Sequence, residues 1–226
     1  MQNDGEHDET TSDYFVWHSL DLRSILPRDW QKSILDLARR DSRTKVIVPV
    51  SVTSRERTTD IEFPTHIVSG IRVAQELTWL YDLYCGQIRS LAQRIFREPV
   101  SVARLPQHGI RLQIQRGASE RYECHVDTVP ITGLFYVTDH PVGSGGELVV
   151  ANRGNVRGQE QVDADATYIH PVAGHLILFD ARNHTHYVAR LKLPTGIRVV
   201  VPMAFYTASC SEDTRPADLN DHLGLE

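Results

Sequence analysis

The chain has 226 residues, 41% hydrophobic and 23% charged, which suits one globular domain with a sizeable core. Its 29 acidic residues outnumber 24 basic ones, for a net charge of −5, so there is no basic footprint for nucleic acid. The apolar stretches have the length of strands, which excludes a membrane-spanning helix.

Met1 is followed by Asp4, Glu6, Asp8 and Glu9 rather than by a basic start and an apolar run, so no secretory leader is expected. Cys85, Cys124 and Cys210 are odd in number and widely spaced, unlike a disulfide framework. Reduced thiols and a cytoplasmic location are the expectation. Residues 1–12, polar and without apolar period, read as a disordered tail. Residues 13–226 read as a single domain, with a helical or mixed part over 13–100, a β core over 101–210 and a C-terminal tail over 211–226.

From Pro27, the residues Trp30, Ile34, Leu37 and Ala38 recur at helical spacing, and Arg39 and Arg40 suit a helix C-terminus. Residues 45–50 read as a short strand and 53–59 as a charged loop. A long helix is predicted over Ser69–Arg97, with Ile71, Leu77, Tyr81, Tyr84, Ile88, Leu91 and Ile95 as its apolar stripe. After Pro99 the pattern turns to short β-rich runs: 110–114, 121–125, 131–138, 147–151, 167–171, 175–179, 186–191 and 197–206. Glycines and prolines punctuate them. Short strands without intervening helices define a mainly β protein with N-terminal helices, its core a double-stranded β-helix, or jelly roll.

Histidine departs from ordinary composition. Of 11, six (His125, His140, His170, His175, His184 and His186) fall between positions 125 and 186. His125 and Asp127 are two apart, and residues i and i+2 of a strand project from the same face. A third ligand must come from another strand, and both His184 and His186 are available on one parity. Two imidazoles and one carboxylate leave open positions on an octahedral ion, the arrangement suited to Fe(II) that must also take up a cosubstrate and O2. Alone, a His-x-Asp pair is equally a polar strand end. Arg198 adds weight, because an arginine within the apolar run 197–201 is costly to bury without an anionic partner. Guanidinium suits bidentate capture of a carboxylate.

The pieces Tyr122-x-x-His125-x-Asp127, Leu134-Phe135-Tyr136-Val137, Gly145-Gly146-Glu147-Leu148, Pro171-x-x-Gly174-x-Leu176-x-x-Phe179, His186-x-Val188 and Gly196-x-Arg198 together resemble the 2-oxoglutarate/Fe(II)-dependent dioxygenases of the prolyl 4-hydroxylase-like branch. The resemblance spans Ile110–Tyr206. It implies His125, Asp127 and His186 as iron ligands, with Arg198 pairing with the distal carboxylate of 2-oxoglutarate. It also implies that Tyr136 joins that contact, and that Gln115, standing where relatives often place a tyrosine, donates a hydrogen bond there. The implied reaction is O2-dependent hydroxylation of an unactivated C–H bond, yielding succinate and CO2. The Asp127 carboxylate favours hydroxylation over halogenation.

His186 is preferred to His184 as the distal ligand, because it begins the strand and its spacing to Arg198 fits the family. His170 and His175 are expected to be structural or exposed, His140 solvated and Cys124 a core thiol. The resemblance implies that Tyr122 sits beside the metal's water network, although simple alternation points it away from His125. The N-terminal helices and the 154–166 insertion are expected at the pocket rim. A free amino acid or small metabolite is the favoured substrate, ahead of a residue within a peptide. A zinc-holding β-sandwich without catalysis is the alternative of another class.

Overall fold

The computed structural model describes residues 14–49, 52–58 and 60–223, so the N-terminal tail expected over residues 1–12 lies outside the described residues. Twelve strands form two antiparallel sheets among those residues. The larger sheet contains β1 (Trp17–Asp21), β2 (Arg43–Ile47), β3 (Phe63–Val68), β4 (Val100–Val102), β5 (Leu112–Arg116), β7 (Ile131–Tyr136), β10 (His175–Phe179) and β12 (Ile197–Thr207). Its order is β1-β10-β7-β12-β5-β3-β2, with β4 on the far end of the long β12. The smaller sheet, in order, is β6 (Tyr122–His125), β11 (His186–Val188), β8 (Leu148–Ala151) and β9 (Ala166–Ile169). This is the expected jelly roll.

Alternation along each strand divides the apolar residues into three layers. Leu112, Ile114, Phe135, Leu178, Val199, Val201 and Phe205 leave the large sheet on one side. They pack against α1 (Trp30–Asp41) and a helical run over residues 70–96. From the opposite side Phe63, Leu134, Tyr136, Phe179 and Val200 meet Tyr122, Leu148, Val150 and Val188 of the small sheet. Cys124, Val149, Ala151 and Tyr187 cover the outer face of the small sheet together with Val162 of α6 (Gly158–Asp163), so Cys124 is the expected core thiol.

The helix expected over 69–97 is broken into α2 (Gly70–Glu76), α3 (Thr78–Leu83), a π-helical turn (Tyr84–Ile88) and α4 (Arg89–Phe96). Leu77 leaves the helical region at φ −124°, ψ 56°, and the π turn adds a residue that rotates the buried face. Val73, Leu77, Leu80, Tyr84, Ile88 and Ala92 are therefore the buried set, while Ile71 from the anticipated stripe is exposed. Three strands escape the periodic reading, among them the three-residue β4. β1 is a mostly exposed edge, and β3 contains Pro64, which argues against a strand by composition. Residues 211–223, anticipated as a tail, form a 3₁₀ turn (Glu212–Thr214) and α7 (Leu219–Leu223), whose His222 is buried. No helix among the described residues is long and apolar enough to cross a membrane.

Candidate active site

β6 and β11 pair so that His125 faces His186 in register, and the two rings lie 4.2 Å apart between centroids. Asp127 follows β6 by two residues, its backbone N–H bonded to the carbonyl of Ala181 at 3.2 Å. Its Oδ1 lies 3.6 Å from Nε2 of both histidines. One ligand atom from each of the three residues falls within 4.8 Å of the others, and His184 is not among them. His184 instead donates Nδ1–H to the carbonyl of Ala151 at 3.0 Å, with its ring against Phe15, so the alternative distal ligand is set aside.

The ring orientations are fixed from behind. Nδ1 of His125 lies 3.0 Å from the carbonyl of Glu123, and Nδ1 of His186 lies 3.0 Å from the carbonyl of His184. A carbonyl can only accept, so both Nδ1 atoms carry the hydrogen and both Nε2 lone pairs face Asp127. Burial holds the His125 imidazole well below its usual pKa, and His186 pushes the same way. Thr132 of β7 donates its hydroxyl to Oδ2 of Asp127 and leaves Oδ1 turned toward the imidazoles. Three acceptors thus converge with no donor between them, which is unfavourable by itself and favourable around a divalent cation. Thr132→Val is expected to weaken divalent metal binding by about 10- to 100-fold, measured by titration calorimetry, since it frees the carboxylate to rotate.

Tyr122 corrects the alternation argument. His125 opposes His186, but Tyr122 opposes Val188, so three steps on β6 span two on β11. This bulge puts Tyr122 and His125 on the same face, their rings 5.1 Å apart. The segment 52–58 lies along the other side of β6. Val126 N–H bonds to Thr53 O at 3.0 Å, and Arg55 N–H bonds to Cys124 O at 2.8 Å. Oε1 of Glu56 accepts from Cys124 N–H at 2.6 Å and from Nη1 of Arg121 at 2.9 Å, and both side chains of that pair are almost fully buried. Glu56→Ala is expected to cost about 3 kcal/mol in a urea unfolding titration, because it strands the Arg121 charge.

Arg198 projects from β12 into the space between the sheets at 2% exposure, the largest side chain so enclosed. Its Nε and Nη2 have no hydrogen-bond partner among the described residues, and neither has the Tyr136 hydroxyl. The guanidinium carbon lies 5.5 Å from the Tyr136 ring centre. Arg198 lines a narrow cavity with Gln113, Gln115, Thr65, Tyr122 and Val188. Gly146, at φ +81°, makes room for it, since a Cβ there would stand 3.2 Å from Cδ of Arg198.

The hydrogen bond expected from Gln115 toward a cosubstrate is not available. Its Nε2 donates to the carbonyls of Glu120 and Ala189, both at 2.8 Å, and its free atom is the acceptor Oε1. Gln115 ties the cavity wall together. His140, expected to be solvated, is buried, with Nε2 3.1 Å from the Ile197 carbonyl. His170 is half-buried 3.6 Å from Glu147, and His175 meets the Ser19 hydroxyl at 3.2 Å.

A wider cleft of about 90 Å³ opens on the other side of Tyr122 and reaches His125 and Asp127. Its wall includes Thr132, His108, Arg111, Tyr206, Arg215 and His222. The long helices and the 154–166 insertion do not line it, contrary to expectation, because α6 is committed to the outer face of the small sheet. His222 is bound instead to β6, with Nε2 2.6 Å from Oε1 of the fully buried Glu123. Burial lowers the imidazole pKa, and Glu123 more than reverses this, so the net direction is upward. Thr132, Arg111, Tyr206 and Arg215 went unremarked in the sequence, although Tyr206 has the strand parity of Arg198.

Two antiparallel sheets closing over an inward His/Asp/His cluster and a buried arginine give the fold of the 2-oxoglutarate–Fe(II) oxygenases. Compared as a sequence, the chain matches no family model and no curated protein. Solved structures carry the likeness. An oxidoreductase of the 2OG-Fe(II) oxygenase family from Burkholderia pseudomallei superposes with a TM-score of 0.58 at 12% identity, covering 84% of each chain. The epimerase SnoN, in complex with Fe3+, alpha-ketoglutarate and nogalamycin RO, gives 0.58 at 15% identity over 91% of this chain and 84% of that one. A prolyl hydroxylase from Trichoplax adhaerens, in complex with a hypoxia-inducible-factor peptide fragment, gives 0.58 at 16% identity over 88% and 86%.

Proposed function

We propose that this chain is an Fe(II)- and 2-oxoglutarate-dependent oxygenase that hydroxylates a small molecule. The observation that carries the reading is the pairing of an acceptor-only His125/Asp127/His186 cluster with a guanidinium buried between the same two sheets without an anion. His125, Asp127 and His186 hold the metal, Arg198 takes the distal carboxylate of 2-oxoglutarate, and the Tyr136 hydroxyl donates to that carboxylate. When bound, the metal and 2-oxoglutarate supply the oxidant from O2, with succinate and CO2 as the other products.

The protein positions and encloses. Backbone carbonyls of Glu123 and His184 keep the imidazoles neutral and aimed, and Thr132 orients the carboxylate. Tyr122 separates the cosubstrate cavity from the cleft. The cleft is tight beside His125 and Asp127, with about 90 Å³ of open room, which favours a small substrate over a peptide. A zinc-holding binding protein would account for the three ligands and leaves the burial of Arg198 without a purpose.

The test is anaerobic addition of Fe(II) and 2-oxoglutarate to metal-free protein, read by visible charge-transfer absorbance. A band that needs both components is the expected result. Tight zinc retention with no band and no 2-oxoglutarate binding would overturn the oxygenase reading.

A further inference from the structure

Three side chains on the cleft wall offer more hydrogen-bond donors than the described residues take up, although Arg111 also reaches the Tyr122 hydroxyl. Arg111 stands one residue before β5, Tyr206 near the end of β12 and Arg215 just after the 3₁₀ turn, and all three line the cleft with His125 and Asp127. Both arginines are half-buried, and neither forms an ion pair among the described residues. Arg215 Nη2 reaches only the neutral side chain of Asn220, at 2.6 Å. The Tyr206 side chain is 2% exposed, and its hydroxyl has no hydrogen-bond partner among the described residues.

The carboxylates nearby have partners of their own, and of them Glu212 also acts on Arg215 through space. Glu212 accepts the Arg104 backbone N–H at 2.8 Å and lies 3.5 Å from Nδ1 of His108. Glu123 faces His222, and Asp127 belongs to the metal cluster. Burial lowers the pKa of Arg215, Tyr206 and Glu212 raise it, and the charge of Arg111 lowers it again, so the two guanidiniums repel each other. Proteins seldom bury like charges together unless an opposite charge arrives. In the loaded site, a divalent ion and Arg198 are already balanced by Asp127 and a dicarboxylate. Arg111 and Arg215 stand outside that balance.

We propose that Arg111, Tyr206 and Arg215 form the subsite that selects the substrate by an anionic oxyacid group, a carboxylate or a phosphate monoester. The proposal rests on the reading of the cleft as the substrate side of the metal centre. Two guanidiniums and one hydroxyl match the several acceptor oxygens of such a group, whereas a neutral amide or alcohol would leave the charges unpaired. An anion fixed there anchors one end of the substrate and leaves the remainder to extend toward His125 and Asp127.

The experiment is a calorimetric titration of the whole protein with hexanoate against hexanamide, and with phenyl phosphate against phenol. Each is run with and without saturating Zn(II) and 2-oxoglutarate. We expect at least one acid to bind about tenfold more tightly than its neutral counterpart, in both states. Whichever acid is favoured distinguishes carboxylate from phosphate. Arg111→Gln and Arg215→Gln each reduce that binding about tenfold, and Tyr206→Phe, which removes one oxygen and serves if an arginine variant fails to fold, reduces it by a similar factor. Equal affinity for acid and neutral partner, or no binding of either acid, overturns the subsite. So does binding that vanishes once 2-oxoglutarate is added, which would place the anion beside Arg198. A separate titration with 2-oxoglutarate alone keeps the two readings apart, because its failure leaves the hexanoate and phosphate results intact.

Discussion

His186→Ala is expected to lose tight divalent metal binding, by more than the 10- to 100-fold that changes behind a ligand usually cost, while His184→Ala retains it. The two residues share strand parity and differ by two positions, so the contrast is a sharp test of register. In the fold, His184 precedes β11 and turns its Nδ1 to the Ala151 carbonyl, whereas His186 begins β11 directly opposite His125. Removing His186 leaves His125 and Asp127, an adjacent pair from one strand, with too few donors to hold an ion in competition with water. Calorimetric titration with Mn(II), a redox-stable stand-in for Fe(II), would show it. Metal loss in His184→Ala with retention in His186→Ala would mean that β11 is displaced by one strand repeat and that the cluster is misassigned.

The cluster was legible because it depends on short-range geometry. A two-residue step in a strand fixes the shared face of His125 and Asp127, and the apolar run around Arg198 marks that arginine as buried in want of an anion. What could not be read depends on pairing between strands. The bulge opposite Val188 that turns Tyr122 inward is a mismatch between β6 and β11, and neither strand alone records it. The π turn at Tyr84–Ile88 similarly rephases a helix whose stripe looked continuous. Gln115 lines the cavity wall, yet its donors are spent on the backbone carbonyls of Glu120, close in sequence, and of Ala189, far along the chain. Tyr206 could have been found, since β12 runs unbroken from Ile197 to Thr207 and positions 198, 200, 202, 204 and 206 share one face. Arg215 and His222 could not, because nothing in the last sixteen residues announces that they fold back against β2 and β6.

Arg198→Ala is expected to raise the 2-oxoglutarate concentration needed for half-saturation by about 100- to 1,000-fold, the equivalent of losing one buried charge-assisted pairing of roughly 3–4 kcal/mol. Tyr136→Phe removes a single donor at the same carboxylate and is expected to cost about tenfold. These losses alone would not separate a ligand-binding role from a structural one, and the stability of the protein does. Nε and Nη2 of Arg198 have no hydrogen-bond partner among the described residues, so beyond its approach to the Tyr136 ring the side chain contributes desolvation cost and packing but no ion pair among them. Arg198→Met keeps most of that packing volume and removes the charge, so the protein without 2-oxoglutarate should be no less stable than the parent. The parent, in contrast, should gain about 2.7 kcal/mol at a 2-oxoglutarate concentration 100 times its dissociation constant, a gain that Arg198→Met cannot show. Thermal unfolding of both proteins with and without Zn(II) and 2-oxoglutarate measures this directly. A variant that is destabilised by itself but still stabilised by 2-oxoglutarate would make Arg198 a structural cation and move the cosubstrate elsewhere in the barrel.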